Sequence, residues 1–151
     1  MSDKFFVDSN LLVYAYDRSA GAKHGAALDL VRNISDSGAP VISTQVLQEL
    51  AVCLRRKVAR PLDSKEIRKI VTELQEWEVF VNNGDSVLRA LEIQEQYQVS
   101  FWDGLIVNAA HSSGAEILYT EDLSHGQILG GVRVVNPFKS RPSWANDASR
   151  R

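Results

Sequence analysis

The residues of this chain that are best suited to chemistry are carboxylates that lie in or beside apolar segments. Asp8 directly follows the apolar run 5–7, Glu49 lies inside a helical pattern, and Asp103 follows two aromatic residues. Asp122 comes just after a further apolar run. An isolated buried carboxylate is costly, so each of these residues needs a partner, and few cations are near them in sequence. One arrangement that satisfies all of them is convergence on a divalent metal ion.

Each carboxylate also has a purely local role open to it. Asp8 could cap the following helix, and Ser100 with Asp103 fits the S-x-x-D capping box. Glu49 could be a solvated helix residue, and Asp122 could be a turn residue. Taken singly, these local roles compete well with a role in a site. Their joint occurrence at strand ends and helix starts favours shared metal binding.

Strands and helices alternate along the chain and set where these carboxylates should lie. Apolar runs predict strands at 5–7, 40–44, 78–81, 115–120 and 132–136, and 3.6-residue periodicity predicts helices at 22–38, 45–58, 63–77, 85–98 and 100–114. Gly38 is expected to end its helix in the left-handed conformation. The alternation predicts an α/β fold, a three-layer α/β/α sandwich with a mostly parallel central sheet. Ligands bind beyond the carboxyl ends of such strands, where Asp8 is expected.

Composition and charge limit the classes of function. The 151 residues are 44% hydrophobic with a net charge of −2, which suits one domain and gives no overall attraction for nucleic acid. We expect the domain to span 1–138, followed by a polar tail at 139–151. Cys53 is the single cysteine, and no targeting or membrane-spanning segment is recognisable, so we expect a cytoplasmic protein.

Four stretches of the sequence follow the pattern of a known family. They are "FFVDSNLLVYAYD", "PVISTQVLQEL", "VSFWDGLIVNAA" and "ILYTEDLSHG". In this order and spacing they resemble the PIN domain family, and most closely the VapC toxins of bacterial VapBC toxin–antitoxin modules. The positions of the family's motif fall on Asp8, Asn10, Glu49, Asp103, Thr120 and Asp122. The resemblance implies that the four acids are catalytic and that Asn10 and Thr120 orient them.

The resemblance implies a metal-dependent endoribonuclease that hydrolyses RNA phosphodiester bonds with a metal-activated water. Oxygen ligands without cysteine or histidine suit one or two Mg²⁺ or Mn²⁺ ions. We expect Asp8 and Asp103 to bind the metal directly, and Glu49 and Asp122 to act partly through water.

The sequence departs from the family pattern at three places. Ser9 stands where threonine is commoner, and His125 stands where an aromatic residue is frequent. Glu121 precedes Asp122, so the identity of the last acid is ambiguous. Neighbouring residues of an extended segment point in opposite directions, so only one of the two should face the site. The motif favours Asp122.

Two further groups of residues could contact RNA. A basic segment contains Arg55, Arg56, Lys57 and Arg60, which could line a path for the RNA backbone or form a solvated face. The aromatic pair 101–102 could stack on bases, but beside a helix start we expect it to pack in the core.

The family resemblance also implies partners. They are an antitoxin that blocks the acidic pocket and a second copy of the chain in a homodimer. Two alternatives to a toxin remain open at this point. One is a PIN-type RNA-processing nuclease without an antitoxin, and the other is a catalytically inactive module that binds Mg²⁺ or a partner.

Overall fold

This computed structural model describes residues 4–139. They form a six-stranded sheet with helices around it. Except for Lys139, the predicted tail lies outside the described residues. No helix within 4–139 is long and apolar enough to cross a membrane. The elements in chain order are β1 (Lys4–Val7), α1 (Ser9–Tyr16), α2 (Ala22–Ser37), β2 (Ala39–Ser43), α3 (Thr44–Arg56), α4 (Ser64–Leu74), β3 (Glu78–Phe80), α5 (Gly84–Tyr97), α6 (Phe101–Ser112), β4 (Ile117–Tyr119), β5 (Ile128–Leu129) and β6 (Val132–Val135).

The path of the chain through the sheet places helices on both faces. The strand order is β3-β2-β1-β4-β6-β5, and all neighbours are parallel except β5 and β6. The chain moves outward from β1 to β3 and then returns to β4 on the other side of β1. Because crossovers between parallel strands are right-handed, α1 to α4 cover one face and α5 and α6 cover the other. The predicted α/β/α sandwich with a mostly parallel sheet is therefore confirmed.

Apolar side chains on the strands and on the inner helix faces form one core. The apolar side chains that α3 and α4 carry at helical spacing point into it, with Val46, Leu50 and Leu54 fully buried and Ile70 nearly so. Burying one such side chain contributes about 1.5–3 kcal/mol to stability. The core also contains the central strand residues Phe6, Val7, Val41, Ile42 and Leu118, all with no exposed surface. The residues that directly follow the central strands, such as Asp8 after β1 and Thr120 after β4, are therefore attached to well-packed segments.

One local prediction was wrong, and one strand was missed. Gly38 is extended, with φ −129°, so it does not end α2 in the left-handed conformation. The reason for a glycine there is close packing, since a Cβ would lie 2.7 Å from the ring of Phe5. Strand β5 was missed because two residues are too few to show periodicity. Its hairpin to β6 turns at Gly130 and Gly131, which both have positive φ.

Substitution of Gly104 by alanine should destabilise the protein because α6 packs against α5 at this glycine. An added Cβ would lie 2.7 Å from the backbone oxygen of Ala90, which cannot move independently of its helix. We expect a loss of about 1–3 kcal/mol in the free energy of unfolding, measured by urea denaturation. Gly25→Ala is the matched control. Gly25 lies inside α2 with open space around its Cβ position, so that variant should be neutral or slightly more stable.

Candidate functional site

The four predicted acids line one pocket beyond the carboxyl ends of β1 and β4. These two strands are neighbours, but the chain leaves β1 for β2 on one side and β4 for β6 on the other. Ligands bind at such switch points in parallel sheets. The pocket has a volume of about 290 Å³ and is lined by Asp8, Ser9, Gln45, Glu49, Ser100, Trp102, Asp103, Ile106 and Asp122. The fold therefore brings together carboxylates that are far apart in the sequence.

Asp8 is the most deeply buried of these acids, with 4% of its surface exposed. It is the N-cap residue of α1, and its Oδ1 atom accepts a hydrogen bond of 2.7 Å from the backbone N–H of Ser9. Its Oδ2 atom accepts a bond of 2.8 Å from the Thr120 hydroxyl. Asp8 thus caps α1 with one carboxylate oxygen and bonds Thr120 with the other, and it also lines the pocket.

The Thr120 hydroxyl connects three parts of the site. Besides donating to Asp8, its Oγ1 atom accepts hydrogen bonds from the Asn10 side-chain amide at 3.3 Å and from the backbone N–H of Asp122 at 3.1 Å. Thr120 is fully buried directly after β4. It therefore holds the end of β1, the start of α1 and the segment after β4 in one arrangement.

Helices α3 and α6 supply the other two acids. Glu49 is half-buried on α3, and its Oε1 atom accepts a hydrogen bond of 3.0 Å from the Ser9 hydroxyl. Ser100 caps α6 by accepting a bond of 3.0 Å from the backbone N–H of Asp103. The predicted capping by Ser100 is therefore present, and it leaves the Asp103 carboxylate in the wall of the pocket.

The pocket is a strongly negative environment. The pKa of Asp8 is raised to about 7, mainly by burial and to a smaller extent by the charges of Asp122 and Glu49, while the hydrogen bonds from Thr120 and Ser9 act in the opposite direction. Burial and the same two neighbouring charges also raise the pKa of Asp103. Among the described residues that line the pocket, none is a lysine, arginine or histidine. The pocket is therefore suited to a cation.

The donor set fits a hydrated Mg²⁺ or Mn²⁺ ion. Within 4–139, no three His, Cys, Asp or Glu side chains already form a complete ligand group. Mg²⁺ does not need such a group, since it usually binds one or two carboxylates and keeps several waters. The buried Oε1 atom of Gln45, on a side chain that lines the pocket, has no hydrogen-bond partner. A metal-bound water can donate to an amide oxygen of this kind.

Glu121 and Asp122 lie in different environments, as their alternation predicts. Asp122 lines the acidic pocket. Glu121 accepts a hydrogen bond from the Tyr14 hydroxyl and forms an ion pair of 2.9 Å with Lys23. Glu121 is thus engaged outside the pocket, and the motif's choice of Asp122 agrees with this geometry.

The predicted RNA-binding cations lie outside the acidic pocket. Arg55 and Arg56 occupy the last turn of α3, Lys57 is its C-cap, and Arg60 lies in the following loop. All four are exposed. Arg60 lines a separate cavity of about 600 Å³ together with two other arginines.

Three features of the site were not expected from the sequence. Ser9 connects two acids, since its N–H bonds Asp8 and its hydroxyl bonds Glu49. Gln45 lines the pocket one helical turn before Glu49, a spacing that places both on one face of α3 and could have identified it. Trp102 is 62% exposed at the pocket rim, so the expectation that it packs in the core was wrong.

The sequence matches the model of a known protein family. The model of the PIN domain family matches residues 5–128. The chain belongs to the PIN domain family. Comparison of this PIN domain with curated protein sequences gives no significant match.

Solved structures similar to this PIN domain include toxins and toxin–antitoxin complexes. One is the sarcin–ricin loop cleaving toxin VapC20 of Mycobacterium tuberculosis (18% identity, TM-score 0.57, 76% of this chain and 86% of that chain covered). Another is a toxin–antitoxin complex from Klebsiella pneumoniae (18%, 0.64, 87% and 96%). A third is VapBC2 of Rickettsia felis bound to a promoter DNA fragment (18%, 0.61, 88% and 98%). At this level of identity the similarity establishes the fold.

The metal-free PIN domain should lose stability as the pH rises from 5 to 8, and Asp8→Asn should reduce that loss. The Asp8 carboxyl has a pKa of about 7 in the folded protein and an ordinary value of 3.8. Between these values the folded state binds a proton that the unfolded state does not bind, so stability falls with rising pH. Thermal unfolding in a chelator at pH 5, 6.5 and 8 measures the effect. Equal pH dependence in both proteins would contradict the burial of an ionisable Asp8.

Removal of the Thr120 hydroxyl should weaken metal binding without changing any carboxylate. We expect Thr120→Val to lower Mn²⁺ affinity by about 10- to 100-fold, since partners that orient metal ligands contribute effects of this size. Thr120→Ser keeps the oxygen that bonds Asp8 and should bind Mn²⁺ nearly as the unmodified protein does. Calorimetric titration measures both. Unchanged affinity in a folded Thr120→Val variant would show that this hydroxyl does not orient the site.

Proposed function

We propose that this PIN domain is a metal-dependent endoribonuclease that hydrolyses RNA phosphodiester bonds, and that it is the toxin of a type II toxin–antitoxin module. The observation that carries the proposal is the convergence of Asp8, Glu49, Asp103 and Asp122 on one pocket without a basic residue among its described lining. Membership of the PIN family and the similarity to the VapC20 and VapBC2 structures support it.

The residues of the pocket have distinct parts in this reaction. A bound Mg²⁺ or Mn²⁺ supplies a Lewis acid, lowers the pKa of a water molecule and stabilises negative charge on the phosphate oxygens. Asp8 and Asp103 would hold the ion directly, while Glu49 and Asp122 would bind waters around it. With a cation in the pocket, Asp8 would be held in its ionised form, because a nearby positive charge favours the carboxylate over the protonated acid. Thr120 keeps the Asp8 carboxylate facing the pocket throughout, through its bond of 2.8 Å.

RNA reaches a negative pocket more readily if cations lie on its path. Arg56 follows Glu49 by seven residues on α3, which places it on the same helix face about 10 Å farther along. Together with Arg55, Lys57 and Arg60 it would contact phosphates of the RNA backbone. Such a local group provides the attraction that a net charge of −2 does not provide.

The proposal includes a protein inhibitor. The structures from Klebsiella pneumoniae and Rickettsia felis contain antitoxins, and a cognate antitoxin is the partner we propose here. A basic side chain of that partner would pair with the pocket carboxylates and compete with the metal ion. We also expect a homodimer, and activity in the cytoplasm.

Conversion of single acids to amides tests the nuclease proposal. Asp8→Asn, Asp103→Asn and Asp122→Asn should each lower Mn²⁺-dependent cleavage of RNA by at least about 10- to 100-fold, since even groups that only orient metal ligands have effects of this size. Glu121→Gln is the matched control, because this neighbouring acid is bound to Tyr14 and Lys23 outside the pocket. Its activity should stay within about threefold of the unmodified protein. Cleavage that survives in a folded Asp8→Asn or Asp103→Asn variant would remove that residue from the mechanism.

A further inference from the structure

An indole ring lies exposed beside the acidic pocket. Trp102 lines the pocket, directly precedes Asp103 and has 62% of its surface exposed. Large aromatic side chains are normally mostly buried, so an open indole at a site needs an explanation. We propose that Trp102 is the platform on which a base of the RNA substrate stacks, and that Gln45 holds this platform in position. This inference rests on the nuclease function proposed above.

The surroundings of Trp102 hold its backbone and restrict its ring. The ring of Phe101 packs against the indole edge to face, with centroids 5.3 Å apart and an interplanar angle of 78°. The side-chain amide of Gln45 donates a hydrogen bond of 3.3 Å to the backbone oxygen of Trp102. Gln45 itself is 96% buried, since only 4% of its surface is exposed. The indole is therefore exposed and yet anchored, so little conformational entropy is lost when a base stacks on it.

Gln45 also contributes directly to the lining of the pocket. Its Oε1 atom is buried without a hydrogen-bond partner, an arrangement that is unfavourable unless a donor enters the pocket. A hydroxyl of the RNA or a water carried with it can donate to this atom. Gln45 thus connects occupation of the pocket to the position of Trp102, and we regard it as a positioning residue.

One face of α3 carries a residue that supports Trp102, an acid of the pocket and a cation. Gln45 and Glu49 are one turn apart, and Arg56 lies about two turns beyond Glu49. A base held by Trp102, a phosphate at the acids and a second phosphate near Arg56 would therefore follow one line. Stacking is tolerant of sequence but requires an unpaired base, so the substrate class is single-stranded or looped RNA.

A protein partner or a second copy could also cover an exposed tryptophan. The position of the indole favours RNA, because Trp102 shares its pocket with all four carboxylates. Other exposed apolar residues, such as Leu88 on α5 with 60% exposure, do not line that pocket. Leu88 therefore serves as a matched control.

The test measures binding of RNA without cleavage. The full chain with Trp77→Phe and Trp144→Phe retains Trp102 as its single tryptophan, and its fluorescence reports stacking. The probe is an unpaired eight-nucleotide RNA in Ca²⁺ buffer, checked on a gel for integrity. We expect saturable quenching in this protein. The affinities of Trp102→Ala, Trp102→Phe and Leu88→Ala are measured in the otherwise unmodified chain by the anisotropy of a fluorescein label on the same RNA, and we expect Trp102→Ala to weaken RNA binding by about 5- to 150-fold. Trp102→Phe should retain most of the affinity, and Leu88→Ala should retain all of it.

RNA with a single abasic nucleotide separates stacking from structural effects. Scanning the abasic position should identify one site at which affinity for the unmodified protein falls but affinity for Trp102→Ala does not. Gln45→Leu should weaken binding of intact RNA and leave binding of that abasic RNA unchanged. A general structural defect would weaken both.

Three outcomes would overturn the inference. Equal RNA affinity of Trp102→Ala and the unmodified protein, with RNA cleavage intact, would reject the stacking role alone. A second outcome is that Trp102→Ala dissociates a dimer, as measured by light scattering, and still loses as much RNA affinity at the abasic position as the unmodified protein does. That result would assign the indole to a protein contact. Absence of both RNA binding and Mn²⁺-dependent cleavage in the unmodified protein would reject the nuclease function as well.

Discussion

The hydrogen bond between Thr120 and Asp8 joins the two strands on which the site depends. It connects the carboxyl ends of β1 and β4, with 2.8 Å between the hydroxyl and the carboxylate. The backbone continues the pairing, since the N–H of Asp8 donates to the carbonyl of Tyr119 at 3.0 Å. Because both strands are buried in the core, their ends cannot move apart without unpacking it. The most buried acid is therefore fixed with respect to the segment that carries Asp122.

Burial of the Asp8 carboxylate between these strands lowers the stability of the folded protein when the carboxylate is ionised. A carboxylate with 4% exposure prefers its protonated form in the metal-free protein, and its pKa of about 7 reflects that preference. Glu49 and Asp122 increase the effect, since all three negative charges share one pocket. A bound cation would offset this effect, because a nearby positive charge favours the ionised carboxylates. The fold thus holds acidic side chains close together at a cost to the stability of the metal-free protein.

Close packing between α5 and α6 positions Asp103. Gly104 lets α6 approach the backbone of α5 more closely than any side chain allows. Asp103 and Trp102 precede that contact in the first turn of α6, and Ser100 caps the same turn. Their positions therefore follow from a helix–helix contact rather than from the sheet. Gln45 then connects this turn to α3, so the two layers meet at the pocket.

The sequence by itself determined the order of most strands and helices, all but the short elements α1 and β5, because apolar runs and 3.6-residue periodicity report which segments must be buried. The spacing of motif residues also identified the acids that the pocket contains. Local pattern could not reveal that Gly38 makes room for Phe5 or that β5 pairs with β6, since both depend on residues distant in the chain. Nor could it decide that Trp102 is exposed and that Gln45 supports it. Exposure is a property of how the layers pack, and only the tertiary structure brings α3 and α6 to the same edge of the sheet.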